Sequence, residues 1–70
     1  METDAKPVLT TQQLRVLELV ANGYDNAGIA RELRCSPHSV KNVIYDLMAR
    51  LQVRNRVHAA AYAIRRGLID

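Results

Sequence analysis

The sequence has few of the residues that tie a small protein to membranes or to an oxidising compartment. Its 70 residues include one cysteine, Cys35, and no tryptophan or phenylalanine. A single cysteine excludes an internal disulfide and is typical of a reducing compartment. No apolar run approaches the roughly 20 residues that a membrane span needs, and the first residues lack the charged-then-apolar pattern of a signal peptide. We therefore expect a cytoplasmic protein with no membrane partner.

Metal-binding and catalytic patterns are also lacking. Cys35, His38 and His58 are the cysteine and the two histidines of the chain, and 20 residues separate the histidines. That spacing is unlike the clustered ligands of a structural zinc site. There is no glycine-rich phosphate loop and no inward pair of carboxylates. We expect no enzyme activity, no cofactor and no bound metal.

What the chain does contain is enough aliphatic material for one small core. Hydrophobic residues make up 49% of the sequence and aromatic residues only 4%. That content is too high for a disordered tail, and its aliphatic character suits small packed helices. A core of this size is marginal alone, so a partner or a dimer would help to stabilise it.

Charge is distributed unevenly along the chain. Residues 1–33 contain three basic and five acidic residues, a net charge of −2, whereas residues 34–70 contain seven basic and two acidic residues, a net charge of +5. A basic half indicates a polyanion as partner. The alternative is a charged surface that is simply solvated.

Local signals predict four helices and no strand, because period-2 alternation is not sustained anywhere. The expected spans are 11–21, 26–33, 37–51 and 56–66, and the expected N-caps are Thr10, Asp25, Ser36 and Asn55. Thr10 and Gln13 form a capping box. The prediction is an all-α domain over residues 9–70, preceded by a flexible arm or linker stub at residues 1–8.

The third predicted helix has two contrasting faces. At about 100° per residue, its apolar residues form one stripe: Val40, Ile44, Leu47, Met48 and Leu51. The opposite face has donors, acceptors and an aromatic ring but no carboxylate: His38, Lys41, Asn42, Tyr45, Ala49 and Gln52. Residues 34–36 form the short turn that joins this helix to the second one, which is the helix-turn-helix arrangement.

A set of positions spread over all four helices covers about residues 9–69: Leu9-Thr10, Val16-Leu17, Gly23, Asn26, Ile29-Ala30, Leu33, Ser36, Ser39-Val40-Lys41, Leu51, Val53, Asn55-Arg56, Ala59-Ala60, Ala63 and Gly67-Leu68-Ile69. Together these positions resemble a known family, the LuxR/GerE-type helix-turn-helix domain of bacterial transcription regulators. The resemblance implies a four-helix DNA-binding domain. Its third helix would enter the major groove of double-stranded DNA, and its fourth would form a two-fold homodimer.

The chain departs from the family pattern at three places, Gln12-Gln13, Ala27-Gly28 and Val43. The second helix thereby loses a cation that is usual in the family. We expect DNA contacts to be concentrated on the third helix and its C-terminal flank.

Three outward residues of the third helix are the predicted base readers. Lys41 can donate to guanine, Asn42 can pair with adenine, and Tyr45 can donate to an acceptor or pack on a thymine methyl. The predicted phosphate contacts are Ser36, His38, Ser39, Arg50, Arg54 and Arg56. The alternatives are that the first three only solvate a surface, and that Arg54 and Arg56 form salt bridges with Glu18 or Glu32.

The fourth predicted helix has more apolar surface than one small core needs. Val57, Ala61 and Ile64 lie on the side opposite Ala59 and Ala63, so we predict that they form a dimer interface. The alternative is that Val57 and Ile64 cover the edge of the core.

A second hypothesis comes from another functional class. The lost cation at Ala27-Gly28, the apolar Val43 and the acidic Asp46 near the reading face would suit a protein-interaction module on the same fold. Its partner would be another transcription factor, a sigma factor or RNA polymerase.

Overall fold

Four helices account for most of the structure, a computed structural model that describes residues 8–69. They are α1 (Thr11–Ala21), α2 (Asn26–Leu33), α3 (Pro37–Leu51) and α4 (Arg56–Arg65), and residues 8–69 contain no strand. The predicted all-α fold is confirmed, and α4 ends one residue earlier than expected. Of the predicted arm at residues 1–8, all but Val8 lies outside the described residues.

Each helix begins at the N-cap that the sequence predicts. Thr10 and Gln13 form the reciprocal capping box, with Gln13 N–H donating to Thr10 Oγ1 at 3.0 Å and Thr10 N–H donating to Gln13 Oε1 at 2.9 Å. Asp25, Ser36 and Asn55 accept from the backbone N–H groups three residues further on. These bonds satisfy amides that have no acceptor inside the helix.

Two helices end in a way that the sequence did not indicate. Arg34 after α2 and Gln52 after α3 adopt left-handed backbone conformations, with φ of 58° and 57°. Glycine is the usual residue for this conformation, and here the chain reverses without it. By contrast Gly23, which follows α1 and its C-cap, is a glycine with φ of 88°.

The core is aliphatic and draws on all four helices. Its largest fully buried side chains are Val16 and Leu17 of α1, Ile29 of α2, and Val40 and Leu47 of α3. α1 packs against the other three helices, α2 also packs against α3, and α3 against α4. The small Ala59 and Ala63 are the buried residues of α4. No polar or charged side chain is buried in the part of the chain that the structure describes.

Gly28 lies at a close approach at the start of α2. A Cβ at this position would lie 3.1 Å from Asp25 Oδ1 and 3.3 Å from a Tyr24 ring carbon. The Asp25 carboxylate is held there because it accepts from Gly28 N–H at 2.7 Å. A side chain at this position, where the chain departs from the family pattern, would therefore need Asp25 or Tyr24 to shift by a few tenths of an ångström.

Candidate nucleic-acid interface

The predicted reading face of α3 is exposed. Lys41, Asn42 and Tyr45 are all accessible, and the Tyr45 side chain is 58% exposed. Val40, Ile44 and Leu47 on the opposite side are buried. The helix is therefore anchored by its aliphatic stripe, and it presents an ammonium, an amide and a phenol together at the surface.

Two of these side chains contact each other. The Lys41 Nζ atom lies 5.9 Å from the centroid of the Tyr45 ring, one helical turn away. This is a cation–π arrangement at the outer limit of its range. It restricts the conformations of the Lys41 side chain, so the two residues form one unit on the surface.

The first turn of α3 offers hydroxyl, imidazole and amide groups at one end of this face. Ser36, His38 and Ser39 are exposed there. The Ser36 hydroxyl accepts from Ser39 N–H at 3.1 Å and donates to Ser39 Oγ at 3.1 Å. Ser39 Oγ consequently accepts within the turn, and its own hydroxyl hydrogen can point outward. A helix N-terminus also favours an anion through its dipole.

Beyond the middle of α3, two predicted phosphate residues are exposed. Arg50 makes one long contact, from Nη1 to the Val8 carbonyl oxygen at 3.4 Å. The Arg54 backbone N–H donates to His58 Nδ1 at 3.3 Å, and its side chain is exposed. Within residues 8–69 neither guanidinium forms an ion pair, and Glu32 pairs with Arg15 at 3.6 Å. The alternative salt bridges of Arg54 and Arg56 to Glu18 or Glu32 are not present in this part of the chain.

Arg56 is placed differently from the other predicted phosphate residues. It is half-buried, its Nη1 donates to Asn26 Oδ1 at 2.8 Å, and its Nη2 donates to the Tyr24 carbonyl oxygen at 3.0 Å. Two of its N–H groups are thus used inside the protein. The pattern of residues did not indicate this contact, which joins positions 30 and 32 residues apart.

An open groove of about 370 Å³ connects several of these residues. Lys41, Tyr45 and Arg54 line it, over a floor that includes Ile44 and Met48. Arg56 and the start of α2 form its other side, and no carboxylate lines it. The reading face of α3 is therefore continuous with a basic, partly apolar groove.

The outer side of α4 is apolar and accessible. Val57 is 77% exposed and Ile64 55% exposed, and Ala61 between them is exposed as well. Ala59 and Ala63 are the α4 residues that enter the core. Val57 therefore does not cover the edge of the core, which was the alternative to a dimer interface. Ile64 is about half exposed and lines a cleft with the core residue Leu19 and with Ile69.

Residues 8–69 lack two further features. No three histidine, cysteine, aspartate or glutamate side chains lie close enough together to hold a metal ion. None of the four helices has the length and apolar character that crossing a membrane requires.

Comparison with known proteins places this geometry in a family. Residues 7–63 match the family described as bacterial regulatory proteins, luxR family. Similar curated proteins include the response regulator protein VraR of Staphylococcus aureus (strain Mu3 / ATCC 700698), of Staphylococcus saprophyticus and of Staphylococcus epidermidis. Each is 32% identical over 63 residues, which cover 90% of this chain and 30% of the relative.

The chain therefore spans about a third of the length of these curated relatives. No solved structure matches it significantly. The family match covers most of the chain and includes α1, α2 and α3 in full and most of α4. On these grounds the chain belongs to the luxR family of bacterial regulatory proteins.

Proposed function

We propose that this domain regulates transcription by binding double-stranded DNA sequence-specifically, with α3 in the major groove and as a homodimer on a two-fold site. The observation that carries the proposal is the exposed face of Lys41, Asn42 and Tyr45, which is anchored by buried residues on the opposite face of α3. The family supports a regulatory role, and the name of the staphylococcal relatives, response regulator, agrees with it.

Base recognition follows from the chemistry of this face. The major groove admits one helix and shows a distinct donor and acceptor pattern for each base pair. Lys41 donates to guanine O6 or N7, Asn42 pairs with N6 and N7 of adenine, and Tyr45 packs on a thymine methyl or donates to an acceptor. Each well-placed contact contributes about 1–3 kcal/mol of discrimination against a wrong base.

Phosphate contacts come from both ends of α3. Ser36, His38 and Ser39 lie at its start, while Arg50 and Arg54 lie near or beyond its end. These two groups face the two rims of the groove that the helix enters. Arg56 is not included in this set, because its guanidinium already donates to Asn26 and Tyr24.

The homodimer is proposed on the exposed apolar side of α4. Val57, Ala61 and Ile64 lie along one side of the helix and are exposed in the described part of the chain. A second copy would bury this surface and bring two α3 helices into one complex. A two-fold protein dimer of this kind reads half-sites about one DNA turn apart.

Selection of bound duplexes from a random pool, followed by mobility-shift titration, tests the proposal. Lys41→Ala and Asn42→Ala should each lower the ratio of selected to random affinity about tenfold, equivalent to about 1.4 kcal/mol. Gln12→Ala on the exposed side of α1 is the matched control and should leave the ratio unchanged.

Two outcomes would contradict it. If both α3 variants kept the discrimination of the unmodified protein, the base-reading role would be excluded. If the protein were retained on heparin but enriched no duplex from the pool, the protein-interaction hypothesis would replace sequence-specific binding.

A further inference from the structure

Helices α2 and α4 do not pack against each other, although both pack against α1 and α3. In the described residues, the Arg56 side chain forms the hydrogen bonds that link the start of α4 to the start of α2. Arg56 is the first residue of α4, and Asn26 is the first residue of α2. The contact therefore joins the first turns of two helices that otherwise meet only through their common neighbours.

The two hydrogen bonds of Arg56 fix the orientation of its guanidinium relative to the start of α2, as well as the distance between them. Nη1 and Nη2 of one planar guanidinium donate to two different acceptors, Asn26 Oδ1 at 2.8 Å and the Tyr24 carbonyl oxygen at 3.0 Å. A rigid fork with two bonds restricts rotation of the side chain, which the single ammonium of a lysine does not do. Both acceptors are neutral, so the contact leaves the positive charge of Arg56 uncompensated.

We propose that Arg56 is a positioning residue, which fixes the direction of α4 relative to the α2–α3 unit and is not a phosphate ligand. The inference rests on the proposed function, in which α4 forms the dimer and α3 reads DNA. Val57, the first residue of the proposed dimer surface, follows Arg56 directly. A tilt of α4 would therefore change the separation of the two α3 helices in a dimer.

This role has a consequence that a phosphate contact does not share. Two half-sites on DNA have a fixed separation, so a wrongly tilted α4 weakens binding to the two-fold site while a single half-site is still read. Loss of a phosphate contact would instead weaken binding to both duplexes and reduce the salt dependence of affinity.

The test compares Arg56→Lys and Arg56→Gln with the matched control Arg54→Gln. Arg54 lies two residues earlier, lines the same groove, and has an exposed side chain. The affinity of each variant is measured against salt concentration, for a selected two-fold duplex and for the same duplex with one half-site scrambled. Circular dichroism confirms that each variant is folded.

In both Arg56 variants the ratio of affinity for the two-fold duplex to affinity for the half-site duplex should fall about tenfold. This corresponds to the loss of about one charge-assisted hydrogen bond. Their salt slope should stay that of the unmodified protein. Arg54→Gln should lower the slope by about 0.9 for each phosphate contact that is lost and keep the preference. Asn26→Ala removes one acceptor and should behave like Arg56→Gln, so it serves if the Arg56 variants fold poorly.

The proposal is overturned if Arg56→Lys retains the two-fold preference, because a lysine keeps the charge but not the fork. It is also overturned if Arg56→Gln lowers the salt slope as Arg54→Gln does. If the unmodified protein enriches no duplex, the proposed function fails instead.

A double-mutant cycle in urea unfolding then tests the contact alone. Arg56→Gln and Asn26→Ala should each lower the urea midpoint, and the double variant should lower it no further than the larger single effect. Additive losses would refute the contact.

Discussion

The outer faces of α3 and α4 are both exposed, but they differ in the chemistry that they present. The α3 face carries Lys41, Asn42 and Tyr45, with hydrogen-bonding groups that water satisfies when no ligand is present. The α4 face carries Val57 and Ile64, which are 77% and 55% exposed. Burial of these apolar side chains against a partner would lower the free energy. Polar groups at fixed positions suit a ligand with its own pattern of donors and acceptors, whereas an apolar side suits a second apolar surface.

The difference between the two helices also extends to their anchors. α3 buries four larger aliphatic side chains, whereas α4 buries two alanines. A helix with a large anchor can hold a polar face in place by itself. α4 adds the partly buried Tyr62 to these two alanines, and the hydrogen bonds of Arg56 to Asn26 and Tyr24 also support its direction.

Removal of the α3 anchor should have the largest effect. Leu47→Ala deletes most of a side chain that is only 1% exposed, and the free energy of unfolding should fall by about 2–5 kcal/mol. Urea denaturation followed by circular dichroism measures the loss. For a small domain such a loss is a large part of total stability, so DNA binding should fall with it.

Tyr45→Ala is the control on the opposite face of the same helix. Because its side chain is mostly exposed, stability should change by less than about 1 kcal/mol, while discrimination among duplexes is lost. Equal losses of stability in Leu47→Ala and Tyr45→Ala would contradict the assignment of the two faces.

A substitution on the exposed α4 face should weaken the dimer without lowering the stability of the single domain. Val57→Ala removes two methyl groups from a side chain that is not part of the core. The two-fold dimer loses four such groups at about 0.8 kcal/mol each, so its dissociation constant should rise by roughly two orders of magnitude, while the stability of the single domain is nearly unchanged. Sedimentation velocity over a concentration series measures the first quantity and urea denaturation the second.

Gln12→Ala, on the exposed side of α1, provides the reference for this measurement. An unchanged sedimentation profile for Val57→Ala at every concentration, or a monomer for the unmodified protein both free and on DNA, would contradict a dimer on α4.

The N-caps allow a smaller comparison between the same two helices. Asn55 Oδ1 accepts from His58 N–H at 2.8 Å at the start of α4, and Ser36 has the same role in α3. Asn55→Ala should lower the free energy of unfolding by about 1 kcal/mol. α4 buries smaller side chains than α3. Asn55→Ala should therefore raise amide hydrogen exchange in the first turn of α4 by more than Ser36→Ala raises it in the first turn of α3. The reverse order would show that the anchor does not decide local stability.

The sequence predicts features that depend on neighbouring residues, and it fails where distant residues meet. Thr10, Asp25, Ser36 and Asn55 were recognisable as caps because a cap acts within three residues. The exposed sides of α3 and α4 followed from helical periodicity. The partner of Arg56 lies 30 residues away and has no local signal, so the hydrogen bonds of Arg56 could not be predicted from the sequence. The left-handed Arg34 and Gln52 were missed because glycine is the usual marker of that conformation.

The smallest predicted effect concerns how Lys41 and Tyr45 act together on the α3 face. The Lys41 Nζ atom is 5.9 Å from the Tyr45 ring centroid, and an exposed cation–π pair contributes about 0.5–1 kcal/mol. If the ring directs the ammonium towards the groove, the loss of discrimination caused by Lys41→Ala should be smaller by that amount in a Tyr45→Leu background. Leucine keeps apolar bulk and removes the ring. Mobility-shift titration of the two single variants and the double variant gives the coupling as a double-mutant cycle.

The same cycle between Asn42 and Tyr45 is the control, because the structure shows no such contact between them. Additive losses for Lys41 and Tyr45 would mean that the ring contacts DNA independently, and the two residues would then be separate readers of the sequence.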